Sequence, residues 1–294
     1  MTGVLAELGR RLAERWFTLL VLPGLVYLLV AGAAFRLGQS GWHDGHALWD
    51  GFTALAEGGP GREEGPAARA VLLILAAVPA SAALGVLAQA LAGPVERALS
   101  GPWPRPFATL SARLTARRAG AWRSADTAYE EGLAGAGDSR EAAAAHAARR
   151  NAVALIPPEH PTWLGDRLRA PAVRLGTEYG IDLATVWPRL WLLLPTATRD
   201  TLTGARARLD AAFTLGGWAL LYLPLAVVWW PALAVAAVAA AVSRHRAALA
   251  AEAYAELVES AVDLHLDRLH TRLAEPRPSP GQGRALTERL RRGL

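Results

Sequence analysis

Residues 70–92 read AVLLILAAVPASAALGVLAQALA, 23 positions without one charged side chain. A helix rises 1.5 Å per residue, so about 20 apolar residues cross the roughly 30 Å hydrocarbon layer of a bilayer. This stretch therefore predicts a transmembrane helix. Upstream, residues 16–35 form the first uncharged run in chain order (a span of about 16–36), 70–92 being the second, and residues 211–242 form a third far downstream. The polar, arginine-rich chain between the second and third runs predicts a domain outside the lipid.

Outside these runs Ala and Leu dominate, and both favour helix over strand. The expected fold is an all-α integral membrane protein: two transmembrane helix hairpins, an inserted helical cytoplasmic domain and a long C-terminal cytoplasmic helix. In sequence order the segments are 1–93 (first hairpin), 94–208 (cytoplasmic domain), 209–243 (second hairpin) and 244–294 (helix and basic tail). Cys is absent, which excludes disulfides and thiolate chemistry. All 31 basic residues are Arg, and Asn occurs once. That bias is what a GC-rich bacterial genome produces, and it implies a bacterial cytoplasmic membrane.

Charge sets the predicted topology. Arg10, Arg11 and Arg15 precede the first run, and three Arg lie between residues 36 and 69 against five acids. Sixteen Arg follow between residues 95 and 210. Arginine is retained on the cytoplasmic side, so the N-terminus and the 94–208 segment are placed there, with an acid- and Gly-rich loop outside. Residues 31–33 resemble a signal-peptidase site, but the apolar run is long for a signal core and is read as a retained span. The third run, 32 residues, would be about 48 Å as one helix. Pro224 and the Trp229-Trp230-Pro231 cluster are expected to break it into a hairpin, which leaves the C-terminus in the cytoplasm with its nine Arg.

Within the second run, Ala77, Ser81, Gly85 and Gln89 recur every four residues and share one helix face, a packing or pore face by their small size and single amide. No Asp, Glu, Lys, Arg or His lies in any apolar run, which argues against a proton- or ion-coupled transporter. In the 94–208 segment, residues 101–106 predict a turn at the membrane surface. Amphipathic helices are expected over 110–118 and 122–133. A further helix ends near Ile156, with Asp138 or Ser139 as its N-cap.

The most distinctive stretch runs from Pro161-Thr162-Trp163-Leu164-Gly165-Asp166 through Tyr179-Gly180-Ile181-Asp182 to Trp187-Pro188-Arg189-Leu190-Trp191-Leu192-Leu193-Leu194-Pro195. Arg189 sits in an apolar run and needs a partner, because an unpaired buried charge is costly. Asp166 and Asp182 are the expected partners, in a lock between the two elements. Arg167 and Arg169 lie nearby and with Arg189 form the alternative, a phosphate-binding group. The combination resembles a family of uncharacterised bacterial polytopic membrane proteins carrying PTxLGN/D, YGxD and WPRLWxLLP elements ahead of a transmembrane hairpin. Here Trp163 and Asp166 stand where Arg and Asn are commoner. The resemblance implies architecture and assigns structural or interaction roles to Asp166, Arg169, Tyr179, Asp182, Trp187, Arg189 and Trp191.

No phosphate-cradling Gly motif or nucleophile elbow is present, and no catalytic residue, cofactor or resident metal is expected. Two metal-like groupings are read as ordinary solvated surface. One is His43, Asp44, His46 and Asp50; the other is Glu259, Asp263, Asp267 and His270, on one helical face with Arg268 and Arg272 as partners. His146 and His160 have no partner at ligand spacing. The tail beyond Pro276 carries a short basic helix, 286–292, suited to anionic lipid. The sequence pI of about 10.3 is matched to anionic lipid headgroups and not to a specific nucleic acid, because the charge is spread beside apolar spans. The architecture implies a non-enzymatic membrane scaffold docking a soluble cytoplasmic partner or another protomer in a homo-oligomer. The alternative is an oligomeric channel, since the segment layout is similar to that of bacterial bestrophin-type channels.

Overall fold

The computed structural model describes residues 21–41, 44, 46, 53, 66–101, 103–134 and 140–274. Arg10, Arg11, Arg15, His43, Asp50, the expected cap at Asp138 or Ser139 and the 286–292 helix lie outside the described residues. Among the described residues every regular element is helical. They are α1 (Leu22–Leu37), α2 (Pro66–Ser100), a 3₁₀ turn (Arg105–Phe107), α3 (Ala108–Ala134), α4 (Arg140–Val153), α5 (Trp163–Tyr179), α6 (Leu183–Leu193), α7 (Thr196–Val228) and α8 (Pro231–Ala274). Three helices are long and apolar enough to cross a membrane: one in the segment Ile74–Gly132, where the apolar residues are those of α2, then α7 and α8. Helix α1 is a shorter apolar helix of 16 residues.

Helices α7 and α8, of 33 and 44 residues, run well past the apolar limits of the third run. The break between them falls at Trp229 and Trp230, where the amides of Ala232 and Leu233 donate to the carbonyls of Trp229 and Trp230. Pro231 then opens α8, a position where its missing amide costs nothing. Pro224 does not break the chain as expected but lies inside α7. Apolar packing on both sides of it, at Tyr222 and Leu225, tolerates one lost helical bond. Likewise α3 is one helix through Gly120, not two, and α2 absorbs Pro79 and Pro94.

The chain forms two compact units, residues 1–168 with 206–252, and residues 169–205 with 253–294. In the first, glycines set the helix spacing. A Cβ on Gly24 of α1 would lie 2.2 Å from the carbonyl oxygen of Ser81, and one on Gly217 of α7 would lie 2.1 Å from that of Ala88. Helix α2 is thus in backbone contact with α1 through one stretch and with α7 through another, as small residues permit between apolar helices. Ser81, Gly85 and Ala88 are buried, Ala77 is half-buried and Gln89 is exposed. The four-residue stripe is therefore a packing face at its middle only, and Ala88, not Gln89, continues it toward α7.

Polar atoms then fix the register. Tyr27 Oη donates to the carbonyl of Leu221 (3.1 Å), its ring 5.1 Å from that of Tyr222 in an edge-on contact. Ser243 Oγ on α8 donates to the carbonyl of Ala212 on α7 (2.7 Å). Gln39 Nε2 donates to the carbonyls of Ala226 and Val227, the free C-terminal acceptors of α7, and its Oε1 accepts from the Trp230 amide at 3.2 Å. The second unit has its own core, Leu175, Leu190, Leu194, Leu202, Val258 and Val262, supplied by α5, α6, α7 and α8.

Gly24→Ala and Gly217→Ala should each lower stability in detergent by about 1–3 kcal/mol, the range for overpacking. Gly204→Ala and Gly120→Ala, where a Cβ meets nothing within 4 Å, should be neutral or stabilising by up to about 1 kcal/mol. Thermal melts of the four variants check this.

Candidate functional site

The distinctive elements of the sequence turn out to be helix junctions, one in each unit. In the first, α2 ends at Gly101, whose φ of +62° and amide bond to the carbonyl of Arg97 (2.9 Å) close the helix. The chain returns through residues 157–161 to start α5. Thr162 is its N-cap: its Oγ1 accepts from the amide of Gly165 (3.1 Å) and donates to the carbonyl of Leu99. Gly165 is needed for closeness, since a Cβ there would sit 2.0 Å from the carbonyl oxygen of Ser100. Leu164 fills the core beside Leu209 and Phe213.

Asp166 is 1% exposed. Its Oδ1 accepts from the amides of Glu159 and His160, both at 3.0 Å, and lies 3.3 Å from His160 Nδ1. Its Oδ2 lies 2.9 Å from Arg118 Nη2 on α3. That last contact is a close charge pair without the alignment of a hydrogen bond; Nη2 donates to the carbonyl of Val153, at 2.9 Å. Trp122, one turn on, donates Nε1–H to the carbonyl of buried Ala154 (2.9 Å). Burial lowers the pKa of Arg118 and the Asp166 charge opposes that shift; an arginine stays protonated either way.

The expected lock between Arg189 and Asp166 or Asp182 does not form. Asp166 is taken by Arg118, His160 and two amides. Arg189 is exposed on α6 and donates Nη1–H to the carbonyl of Thr185 one turn back (2.8 Å). Its apolar neighbours do not bury it, because Leu190, not Arg189, faces the core.

Asp182 has a different task in the second unit. Helix α5 ends at Gly180, with φ +66° and its amide bonded to the carbonyl of Gly176. Asp182 then caps α6, accepting from the amide of Ala184 (3.2 Å) and the hydroxyl of Thr185. The Thr185 hydroxyl, with help from the amides of Ala184 and Thr185, holds its carboxyl below the usual carboxylate range against desolvation.

Tyr179 donates to Asp263 Oδ1 (3.1 Å), which raises its phenol above the ordinary value. Arg174 donates hydrogen bonds to Asp263 (2.7 Å) and Glu178 (2.6 Å) and forms a charge pair with Glu259 at 3.2 Å. The hydrogen bond to Asp263 is the largest cause of its raised pKa, with the three acids adding to it against desolvation. The acidic face of α8 is thus engaged by Arg174 on α5, a partner not foreseen from the sequence. Trp187 and Trp191 are half-buried against the core, ring centroids 5.9 Å apart, and Arg169 is half-buried on α5.

His160 is the one group here with a chemical resemblance to a catalytic dyad: Nδ1 faces a buried carboxylate, which orients Nε2 as the open nitrogen. The carboxylate itself is spent on two amides and a guanidinium, the pattern of a structural clamp. Among the described residues no three His, Cys, Asp or Glu side chains group closely enough to hold a metal ion. His46 and Asp44 make a local turn, the His46 amide donating to Asp44 Oδ1 (3.1 Å).

No protein-family model matches the chain, and neither a curated protein nor a solved structure shows significant similarity to it.

Asp182 gives a pH test. Its pKa is lower folded than unfolded, so its contribution is complete above the ordinary value of about 3.9 and is lost as pH falls through the folded value. Asp182→Asn keeps the cap acceptor but removes the titration. The wild type should melt higher than this variant at neutral pH, and the gap should close as pH falls below about 3.9, read by circular dichroism.

Proposed function

We propose that this chain is a membrane-anchored scaffold. In this reading the 16–36 span with α2 and α7 with α8 form two transmembrane hairpins in the bacterial cytoplasmic membrane, which leaves both termini in the cytoplasm. The second unit offers an interaction surface to a soluble partner or to another protomer. One observation carries it. The motif residues are consumed in helix junctions (Thr162, Gly165 and Asp166; Gly180 and Asp182). Meanwhile large apolar side chains of the second unit stay open, Leu192 at 77% and Leu264 at 76% exposure. These leucines lie outside the apolar runs and supply apolar surface that a docked partner would cover.

The channel reading has less support. Ser81, expected on the pore face, is packed against Gly24 of α1, and Gly85 on the same face is buried, so a pore would need another wall.

A photo-crosslinking residue at Leu192 or Leu264 of the full chain, expressed in its membrane, should give a discrete adduct of fixed mass. Adding Leu192→Asp and Leu264→Asp to the opposite position should abolish it without lowering the melting temperature. Absence of any adduct from both positions contradicts the scaffold reading. So would ion flux through liposomes holding the purified chain.

A further inference from the structure

Beside Pro94 the first unit carries two cavities that meet. One, of about 490 Å³, is apolar and lies between α2, α7 and α8, with Ala98, Gly216, Leu223, Leu233 and Ala237 on its walls. The other, of about 640 Å³, is lined by Arg97, Trp103, Phe107 and Leu110. Pro94 and Ala98 line both, so the two form one track, oily at one end and cationic and aromatic at the other. Gly216 keeps the apolar end open in a tight place: a Cβ there would lie 2.6 Å from Val95 Cγ1 and 2.9 Å from Ser243 Oγ.

At the other end Arg97 is exposed. Its guanidinium donates Nε–H to the carbonyl of Gly93 on its own helix (3.3 Å), and no acid among the described residues pairs with it. Arg105, also exposed, stands in the turn that lines the same end. Trp103, tethered by Nε1–H to the carbonyl of Ala98 (2.9 Å), is a residue that favours the headgroup layer. Cation, interfacial indole and apolar trough in that order match the order of phosphate, glycerol and acyl chain.

We propose that this track binds one anionic phospholipid of the bilayer, its phosphate at Arg97 and one acyl chain between α7 and α8. A free anion would leave the apolar trough unused, and a helix from a second copy would leave the guanidinium unanswered. The site does not depend on the scaffold reading.

The test uses the full chain, delipidated in detergent, with phosphatidylglycerol and phosphatidylcholine of identical acyl chains as probes and native mass spectrometry as readout. The wild type should retain one phosphatidylglycerol about fivefold more strongly than phosphatidylcholine, the effect of one arginine near an anionic surface. Arg97→Gln should erase that preference and Arg97→Lys keep most of it. Arg123→Gln, at a site with the same bond to a carbonyl one turn back (Ala119, 3.2 Å), should leave it unchanged. Ala237→Trp should weaken both lipids. Equal retention of the two lipids by the wild type overturns the proposal, as does an Arg97→Gln variant indistinguishable from Arg123→Gln. Displacement of the lipid by glycerol phosphate at equal concentration, or a dimer that lipid does not dissociate, also overturns it.

Discussion

The carboxylate of Asp166 sits where three parts of the chain must be held at once. These are the 157–161 return loop, helix α3 through Arg118, and the first turn of α5 on which it rides. Removing a carboxylate from water costs several kcal/mol unless charge and hydrogen bonds replace the solvent. Here two amides and an imidazole of the return loop and a guanidinium of α3 do so. The neighbours follow from it. With α5 started at that point, Thr162 can reach the carbonyl of Leu99 and Gly165 can lie against Ser100. Arg118 and Trp122 then dock the end of α4, at Val153 and Ala154. Farther along α3, Arg150 pairs with Asp126 (3.1 Å) and covers the ring of Tyr129 at 4.8 Å.

The apolar helices are governed by a second constraint. Lipid offers no hydrophobic gain for bringing two helices together, so van der Waals contact and a few polar bonds must suffice. Gly24 and Gly217 allow backbones to touch, and Tyr27, Gln39 and Ser243 each bond a carbonyl on another helix. Gln39 is the most economical of these. One amide side chain satisfies acceptors at the end of α7 and a donor at the Trp229–Trp230 link. Arg206 on α7 bonds Glu96 on α2 (2.8 Å) and Asp210 one turn on (2.9 Å); at 39% side-chain exposure such pairs add little.

Features governed by local chemistry were legible in the sequence. The long apolar helices and the break at Trp-Trp-Pro follow from length and proline geometry. Helix α3 misled because Gly120 interrupts a pattern without interrupting a helix. Pro224 misled because a proline inside an apolar, well-packed helix loses one bond and no more. Arg189 differs for another reason: hydrophobic neighbours in sequence do not imply burial when only one side of α6 faces the core. The partners of Asp166 were out of reach, since nothing near Arg118 in sequence announces that it meets a residue so far downstream. Of the candidate site, Asp166 and Asp182 are legible as junction residues, but Asp166 pairs with Arg118 in place of Arg189, and Asp182 works as a helix cap without a cation. Tyr179 gave no local hint of Asp263. The Arg174–Glu178 spacing was readable as an ordinary pair along one helix; its extension to α8 was not.

The account rests on Asp166 and Arg118 acting together as a clamp, and a double-mutant cycle tests that most directly. Unfolding of wild type, Arg118→Met, Asp166→Asn and the double variant in the same detergent should give a coupling energy of about 1–3 kcal/mol, as for charged groups in contact. Losses that simply add, within about 0.5 kcal/mol, would contradict it.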